Sequence, residues 1–239
     1  SGADIAYVMP SHQYPLGIVM PIKRRQELLR WAAEQPERYI LEDDYDSEFR
    51  FVGRPIPTLF SVSENQRVIY LNTFSKTIAP SIRISYMILP QALLPIWQET
   101  MGFYSCAVPS FEQLTLTRFL DGGCFERHVS RMRKHYKARL QALLDILSQP
   151  ELAVLCEAKQ AVAGLHFLLA FHTKERGNLL AETLRAAGLS APLLSEFYLR
   201  EAPVDAERCA VVRYAGLDPD AFAQSMQNLA KNVTPEIAD

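Results

Sequence analysis

Lys76 lies in Thr73-Phe-Ser-Lys-Thr-Ile-Ala-Pro-Ser-Ile-Arg83, directly after the apolar run Val68–Leu71. Thr73 and Ser75 offer hydroxyl donors and Arg83 a planar cationic fork, a set that suits a phosphate. An amine crowded by a guanidinium and drawn partly out of water gives up its proton more readily. The free amine can then attack a carbonyl and form a Schiff base. A second cluster, Glu42-Asp-Asp-Tyr-Asp-Ser-Glu-Phe49, ends the apolar run that starts at Tyr39. Acids at the end of a buried strand are costly unless paired. A buried carboxylate there, Asp43 or Asp44, could keep a pyridine nitrogen protonated, and the Tyr45 phenol could hydrogen-bond an aromatic hydroxyl. A third polar loop, Pro10-Ser-His-Gln-Tyr-Pro-Leu-Gly17, follows the apolar Ile5–Met9. A lone Ser-Lys pair would read as a solvated lysine at a helix start. Arg83 and the acidic cluster at matching positions favour the chemical reading.

These loops must be positioned by strands. Ile5–Met9, Arg38–Asp44, Arg67–Phe74 and Arg83–Pro90 read as four strands, with a helix over Pro21–Gln35 that places Leu28, Leu29, Trp31 and Ala32 at helical spacing. Strand, helix, strand with short links predicts a mostly parallel α/β sheet, whose ligands gather at the carboxyl ends of its strands. Beyond Pro90 the pattern turns helical over 91–106 and 110–123, then through one long helix with a basic first half. The last part mixes strands with helices, one around Asn178–Ala187 and one from Asp218 to Asn232 with Asp218 as N-cap. The expected layout is a large α/β domain over 1–125, a connecting helix over 126–150 and a small α+β domain over 151–239. The tail from Thr234 is expected to fray.

The 239 residues suffice for a substantial core, and 22% of them are charged. The net charge of −2 gives no electrostatic reason to expect nucleic acid or an anionic membrane against this chain. Four scattered cysteines without a CxxC pair fit a reduced, cytoplasmic protein rather than a disulfide framework or zinc site. No apolar run approaches the ~20 residues of a membrane span. No signal peptide is recognisable, and the start without Met reads as the middle of a longer protein.

A phosphate site, an imine-forming lysine, a pyridinium carboxylate and a phenol make up the inventory for pyridoxal 5′-phosphate. Ser11–Gly17, Ile40–Phe49, Thr73–Pro90 and Arg131–Leu140 together resemble the aminotransferase-like domain of MocR-type regulators, a branch of the GntR family. The likeness spans the chain and is strongest over the first 140 residues. It implies part of a fold-type-I large domain plus a small C-terminal domain, truncated at the N-terminal side. By position it implies Lys76 as the lysine of the internal aldimine, Asp43 at the pyridine nitrogen and Tyr45 at the ring hydroxyl. It places Thr73, Ser75 and Arg83 at the phosphate, and Arg213 at a substrate or effector carboxylate. His12 and Gln13 occupy the loop where ordinary aminotransferases carry Asn-Pro-Thr-Gly, so His12 is a cofactor-loop candidate. Ser81 stands where the family usually has glycine.

The resemblance further implies an effector-sensing domain. An amino-group compound, or pyridoxal phosphate itself, would bind and bias DNA binding by a winged-helix domain that this chain lacks, in a homodimer. The alternatives are an aminotransferase acting on an amino acid, or a dimerisation module without cofactor. Asp46 and Glu48 are expected at the surface or as caps. Asp44 is expected to cap or to pair with a base, His166 to be a structural histidine, and Arg127–Arg139 to be a solvated or dimer-contact face.

Overall fold

The computed structural model describes residues 2–53 and 56–233. The chain divides into two compact units, Ser1–Gln13 with Ile18–Arg133, and Tyr14–Gly17 with Lys134–Asp239.

The first unit holds β1 (Ile5–Val8), α1 (Ile22–Ala33), β2 (Tyr39–Asp43), α2 (Leu59–Val62), β3 (Val68–Thr73), α3 (Phe74–Thr77), β4 (Ser85–Ile88), α4 (Leu94–Met101) and α5 (Ser110–Asp121). The sheet order is β1-β2-β3-β4. β1, β2 and β3 run parallel, with Val8 opposite Glu42 and Asp43 opposite Leu71. β4 returns antiparallel to β3, Thr73 facing Ser85. Its link, Phe74–Ile84, holds only the short α3 and a 3-10 turn, not a helix able to carry the chain back across the sheet face, and the chain turns back on β3.

Packing selects the register. Ala32, Ile40, Leu59 and Val68 form a buried cluster against which Leu28, Leu29 and Trp31 pack. α1 therefore lays its 28/29/32 stripe on the face of β2 and β3. Each buried aliphatic side chain contributes about 1.5–3 kcal/mol. Pro36, just beyond α1, keeps the helix from continuing. Both sheet edges carry exposed apolar residues, Ile5 and Tyr7 on β1 and Tyr86, Met87 and Ile88 on β4. The helix expected over 91–106 is shorter. A 3-10 turn covers Gln91–Leu93, α4 starts with Pro95 in its first turn, and it stops at Gly102. Proline has no amide proton to bond backwards, so it fits only at such a start.

α6 (Cys124–Leu147) begins in the first unit and ends in the second. The second unit adds α7 (Pro150–Ala153), β5 (Cys156–Lys159), β6 (His166–Phe171), α8 (Gly177–Ala186), α9 (Val204–Glu207), β7 (Cys209–Arg213) and α10 (Pro219–Asn232). Its sheet is antiparallel in the order β5-β6-β7. Phe167, Leu169, Leu180, Leu184, Val211, Phe222 and Met226 are among its buried core residues. Asp218 caps α10 as expected, its carboxylate accepting the Ala221 amide at 3.1 Å. The tail expectation falls outside the described residues. Among the described residues no helix is long and apolar enough to cross a membrane.

Candidate active site

Because β1, β2 and β3 are parallel, their carboxyl ends open on one edge of the sheet, and the three polar loops leave from that edge. Adjacent strands are about 4.8 Å apart. Asp43 closes β2, and Thr73 closes β3 two residues beyond its partner Leu71. Lys76 follows within α3, and its side chain is exposed.

The turn around Lys76 has a local cause. The Thr73 hydroxyl accepts the Ser75 amide at 3.1 Å and so caps α3. It donates its own proton to the Ile84 carbonyl at 3.1 Å. The proton expected to reach a phosphate is thus spent inside the turn, and Thr73 shapes the loop. Arg83 ends the Pro80–Ile82 3-10 turn in the left-handed region, φ 51°, and is exposed. A non-glycine residue there is uncommon and is held by its surroundings. Ser75 is half-buried, and Ser81 is exposed at the middle of the same 3-10 turn.

Around the acidic segment, the Tyr7 phenol donates to Asp43 Oδ2. Burial, then the hydrogen bond and charge of Asp43, push the Tyr7 phenol up to about 12. Asp44 is buried and accepts from the Ser47 hydroxyl at 2.7 Å and the Tyr70 phenol at 2.8 Å. Its hydrogen-bond partners are hydroxyls, and the charge of the Arg25 guanidinium also reaches it. Glu42 is fully buried and accepts the Leu59 and Phe60 amides, each at 2.8 Å. It thereby ties β2 to the first turn of α2. Burial is the largest cause raising its carboxyl, opposed by those two amides.

Of the surface or capping role expected of it, Asp46 keeps only the N-cap position before the Ser47–Phe49 turn, and its side chain makes no cap hydrogen bond there. It is 1% exposed, and its Oδ2 lies 3.0 Å from His12 Nδ1, itself buried. The phenol oxygen of Tyr45 lies 3.3 Å from the same nitrogen. Glu48 is only half-buried overall, but burial dominates in raising its carboxyl, and the charges of Asp44 and Asp46 add to the effect. The missed cue was the pairing of His12, in the first polar loop, with an acid 34 residues away.

Arg25 is a second residue the sequence reading passed over. Buried at the start of α1, it donates to the carbonyls of Met20 at 3.0 Å, Pro57 at 3.0 Å and Pro10 at 2.7 Å. It pins the loop that carries His12. In the second unit, Arg213 ends β7 opposite His166 and is exposed. His166 is buried, with Nε2 3.1 Å from the Pro15 carbonyl and its ring edge-on to Tyr14.

The parallel strands thus bring Asp43 and the exposed Lys76 to one edge of the sheet, and Arg83 stands in the turn that leads from that edge into β4. The chain belongs to the aminotransferase class I and II family, whose model matches residues 8–182. It is 37% identical over 226 residues to the uncharacterized HTH-type transcriptional regulator YdeL of Bacillus subtilis, covering 95% of this chain and 48% of that protein. It is 31% identical over 225 residues to the probable rhizopine catabolism regulatory protein MocR of Rhizobium meliloti, covering 94% of this chain and 45% of that protein. The chain spans about half the length of the curated relatives it matches. Among solved structures, the kynurenine aminotransferase of Pyrococcus horikoshii superposes with a TM-score of 0.80 at 26% identity, over 95% of this chain and 55% of that one.

Proposed function

We propose that this chain is the cofactor- and effector-binding part of a MocR-type transcriptional regulator, and that its cofactor is pyridoxal 5′-phosphate. The observation that carries the reading is the placement of Lys76 just past β3, on the edge where β2 delivers Asp43, in a chain most of which matches regulators.

The donor set fits the cofactor. Asp43 is an acceptor at the end of β2, Lys76 is an exposed amine, and Ser75 and Arg83 flank it in the segment between β3 and β4. When bound, pyridoxal phosphate supplies an aldehyde and an electron-withdrawing ring. Lys76 would provide the amine that holds its aldehyde. Asp43 keeps a proton on the ring nitrogen, and Tyr45 gives one to the ring oxygen. Ser75 and Arg83 hold the phosphate, while Thr73 and Ile84 fix the turn that presents them. His12 acts from the loop beside Tyr45.

In this reading an amino-group effector displaces Lys76, and Arg213 in the second unit is the candidate for its carboxylate, on the resemblance alone. The effector can shift DNA binding only by binding two states unequally. DNA contact belongs to a winged-helix domain outside this chain, and the working form is a cytoplasmic homodimer. The likeness to the kynurenine aminotransferase keeps a second reading in play, turnover of an amino acid, with Lys76 now moving the proton.

The test is a visible spectrum of the chain with pyridoxal phosphate, beside Lys76→Ala. A band in the wild type that the variant lacks supports the reading, and amines that shift it are effectors. Accumulation of a keto acid from an added amino acid moves the assignment to the enzyme. No Lys76-dependent band in either this chain or the full-length protein overturns the cofactor assignment.

A further inference from the structure

Tyr7 is a strand residue that the proposed chemistry does not use. On β1 it stands opposite Leu41 of β2. Asp43 follows two positions further along β2, and side chains two apart on a strand share a face. Ile5 and Tyr7 are both exposed on that face of β1. The Tyr7 phenol nevertheless reaches along the sheet and donates to Asp43 Oδ2. A phenylalanine would cover the strand equally well, so what the hydroxyl adds is this bond. A carboxylate turns easily about its last torsion, which is broad rather than confined to three staggered wells. A donor on one oxygen fixes the plane of the group and with it the direction of the other oxygen. Two oxygens offer about four lone-pair sites, so one phenol does not exhaust the acceptor. Burial, then the bond and charge of Asp43, push the phenol up to about 12, so Tyr7 keeps its proton and remains a donor at neutral pH.

We propose that Tyr7 is a positioning residue for Asp43: its O–H holds one carboxylate oxygen and turns the other toward the cofactor's ring nitrogen. The inference rests on the function proposed above, in which Asp43 meets that nitrogen. β1 then serves the site through a side chain of the strand itself, and not only through the loop that follows it. A hydrogen bond to a charged acceptor is among the stronger ones, which suits a fixing role. The ring nitrogen is the one part of the cofactor that this contact serves. In the same reading the phosphate and the aldehyde are held from the segment after β3, by Ser75, Arg83 and Lys76. Tyr7 therefore matters to a ligand that has the nitrogen and not to one that lacks it. A tyrosine that merely steadied β1 would affect both ligands alike.

The experiment measures dissociation constants from the Lys76-dependent absorption band in wild type and Tyr7→Phe. Two ligands are compared, pyridoxal phosphate and its analogue with a C–H in place of the ring nitrogen. Where this chain gives no band, the full-length protein is used. Urea unfolding confirms that the variant is folded. Wild type should bind pyridoxal phosphate more tightly than the analogue. Tyr7→Phe should bind pyridoxal phosphate roughly three- to tenfold more weakly, the range of one hydrogen bond, and the analogue as wild type does. A preference for pyridoxal phosphate that survives in full in Tyr7→Phe overturns the proposal. So does equal weakening of both ligands, since Tyr7 would then act without the ring nitrogen. Equal binding of the two ligands by wild type instead overturns the role given to Asp43, and the proposal falls with it. No Lys76-dependent band even in the full-length protein overturns the cofactor assignment in the same way. A second readout needs no cofactor. In the cofactor-free chain labelled with carbon-13 tyrosine, the Cζ resonance of Tyr7, assigned by its loss in Tyr7→Phe, should move in Asp43→Ala. A Tyr7 Cζ resonance that ignores Asp43→Ala shows that no bond joins the two residues and overturns the proposal whatever the binding data give.

Discussion

Replacing Arg25 should cost more stability than replacing any exposed charge in the chain. Its buried guanidinium bonds to three backbone carbonyls from three separate segments, those of Pro10, Met20 and Pro57. Hydrogen bonds from a charged donor contribute about 1.5–3 kcal/mol each, and a carbonyl left buried without a partner costs a further ~1–3 kcal/mol. These terms overlap, because relaxation and water recover part of the loss, so Arg25→Met should lose about 4 kcal/mol. Arg25→Lys keeps the charge but presents a compact head where a planar fork bridged three acceptors. It should retain about one of the bonds and lose about 2–3 kcal/mol. Four kcal/mol is nearly a thousandfold in the folding constant, a large share of the 5–15 kcal/mol typical of a domain. Urea unfolding followed by circular dichroism reads both values, with the slope compared to exclude a changed denatured state. If Arg25→Lys lies within 0.5 kcal/mol of wild type, taken as about the scatter of ordinary surface substitutions, the three-carbonyl clamp carries no stability and the reasoning fails.

Other expectations follow from burial and capping. Glu42 and Glu48 have carboxyls raised above their ordinary 4.5, so the folded chain binds their protons more tightly than the unfolded chain does. Their contribution is complete below that value and is lost as pH rises through the raised values. Glu42→Gln should therefore show a shallower fall in unfolding free energy from about pH 4.5 upward, measured by urea titrations across pH. Burial pushes the Cys156 thiol up to about 12 and the Cys209 thiol up to about 11, whereas Cys106 is exposed. A thiol reagent at neutral pH should label Cys106 in the native chain and reach Cys156 and Cys209 only on unfolding. Asp218→Ala removes the cap of α10 and should cost about 1 kcal/mol by thermal or urea unfolding.

The sheet and its loops were legible because strand ends coincide with abrupt changes from apolar to polar residues, as at Leu41–Asp44 and Leu71–Ser75. The direction of β4 was not, since antiparallel return depends on what the link holds rather than on the strand's own residues. α4 ends earlier than its apolar content suggests, and Phe103 and Tyr104 lie beyond it, exposed. Asp46 read as a surface acid because it stands in a run of acids, and local sequence carries no trace of a partner 34 positions away. Arg25 likewise looked like one of four basic residues of α1, Lys23 to Arg30, until three loops closed over it. Thr73 was legible as part of the turn but not as its cap, because a hydroxyl serves a phosphate and an amide equally well.

The central claim is that Lys76 is the amine that engages pyridoxal phosphate, and reductive trapping tests it most directly. The chain is mixed with pyridoxal phosphate, treated with borohydride, digested and mapped by mass spectrometry. The account predicts one dominant phosphopyridoxyl mark on Lys76, absent in Lys76→Ala. A mark spread evenly over Lys23, Lys134, Lys137, Lys159, Lys174 and Lys231, with none favoured at Lys76, would contradict it.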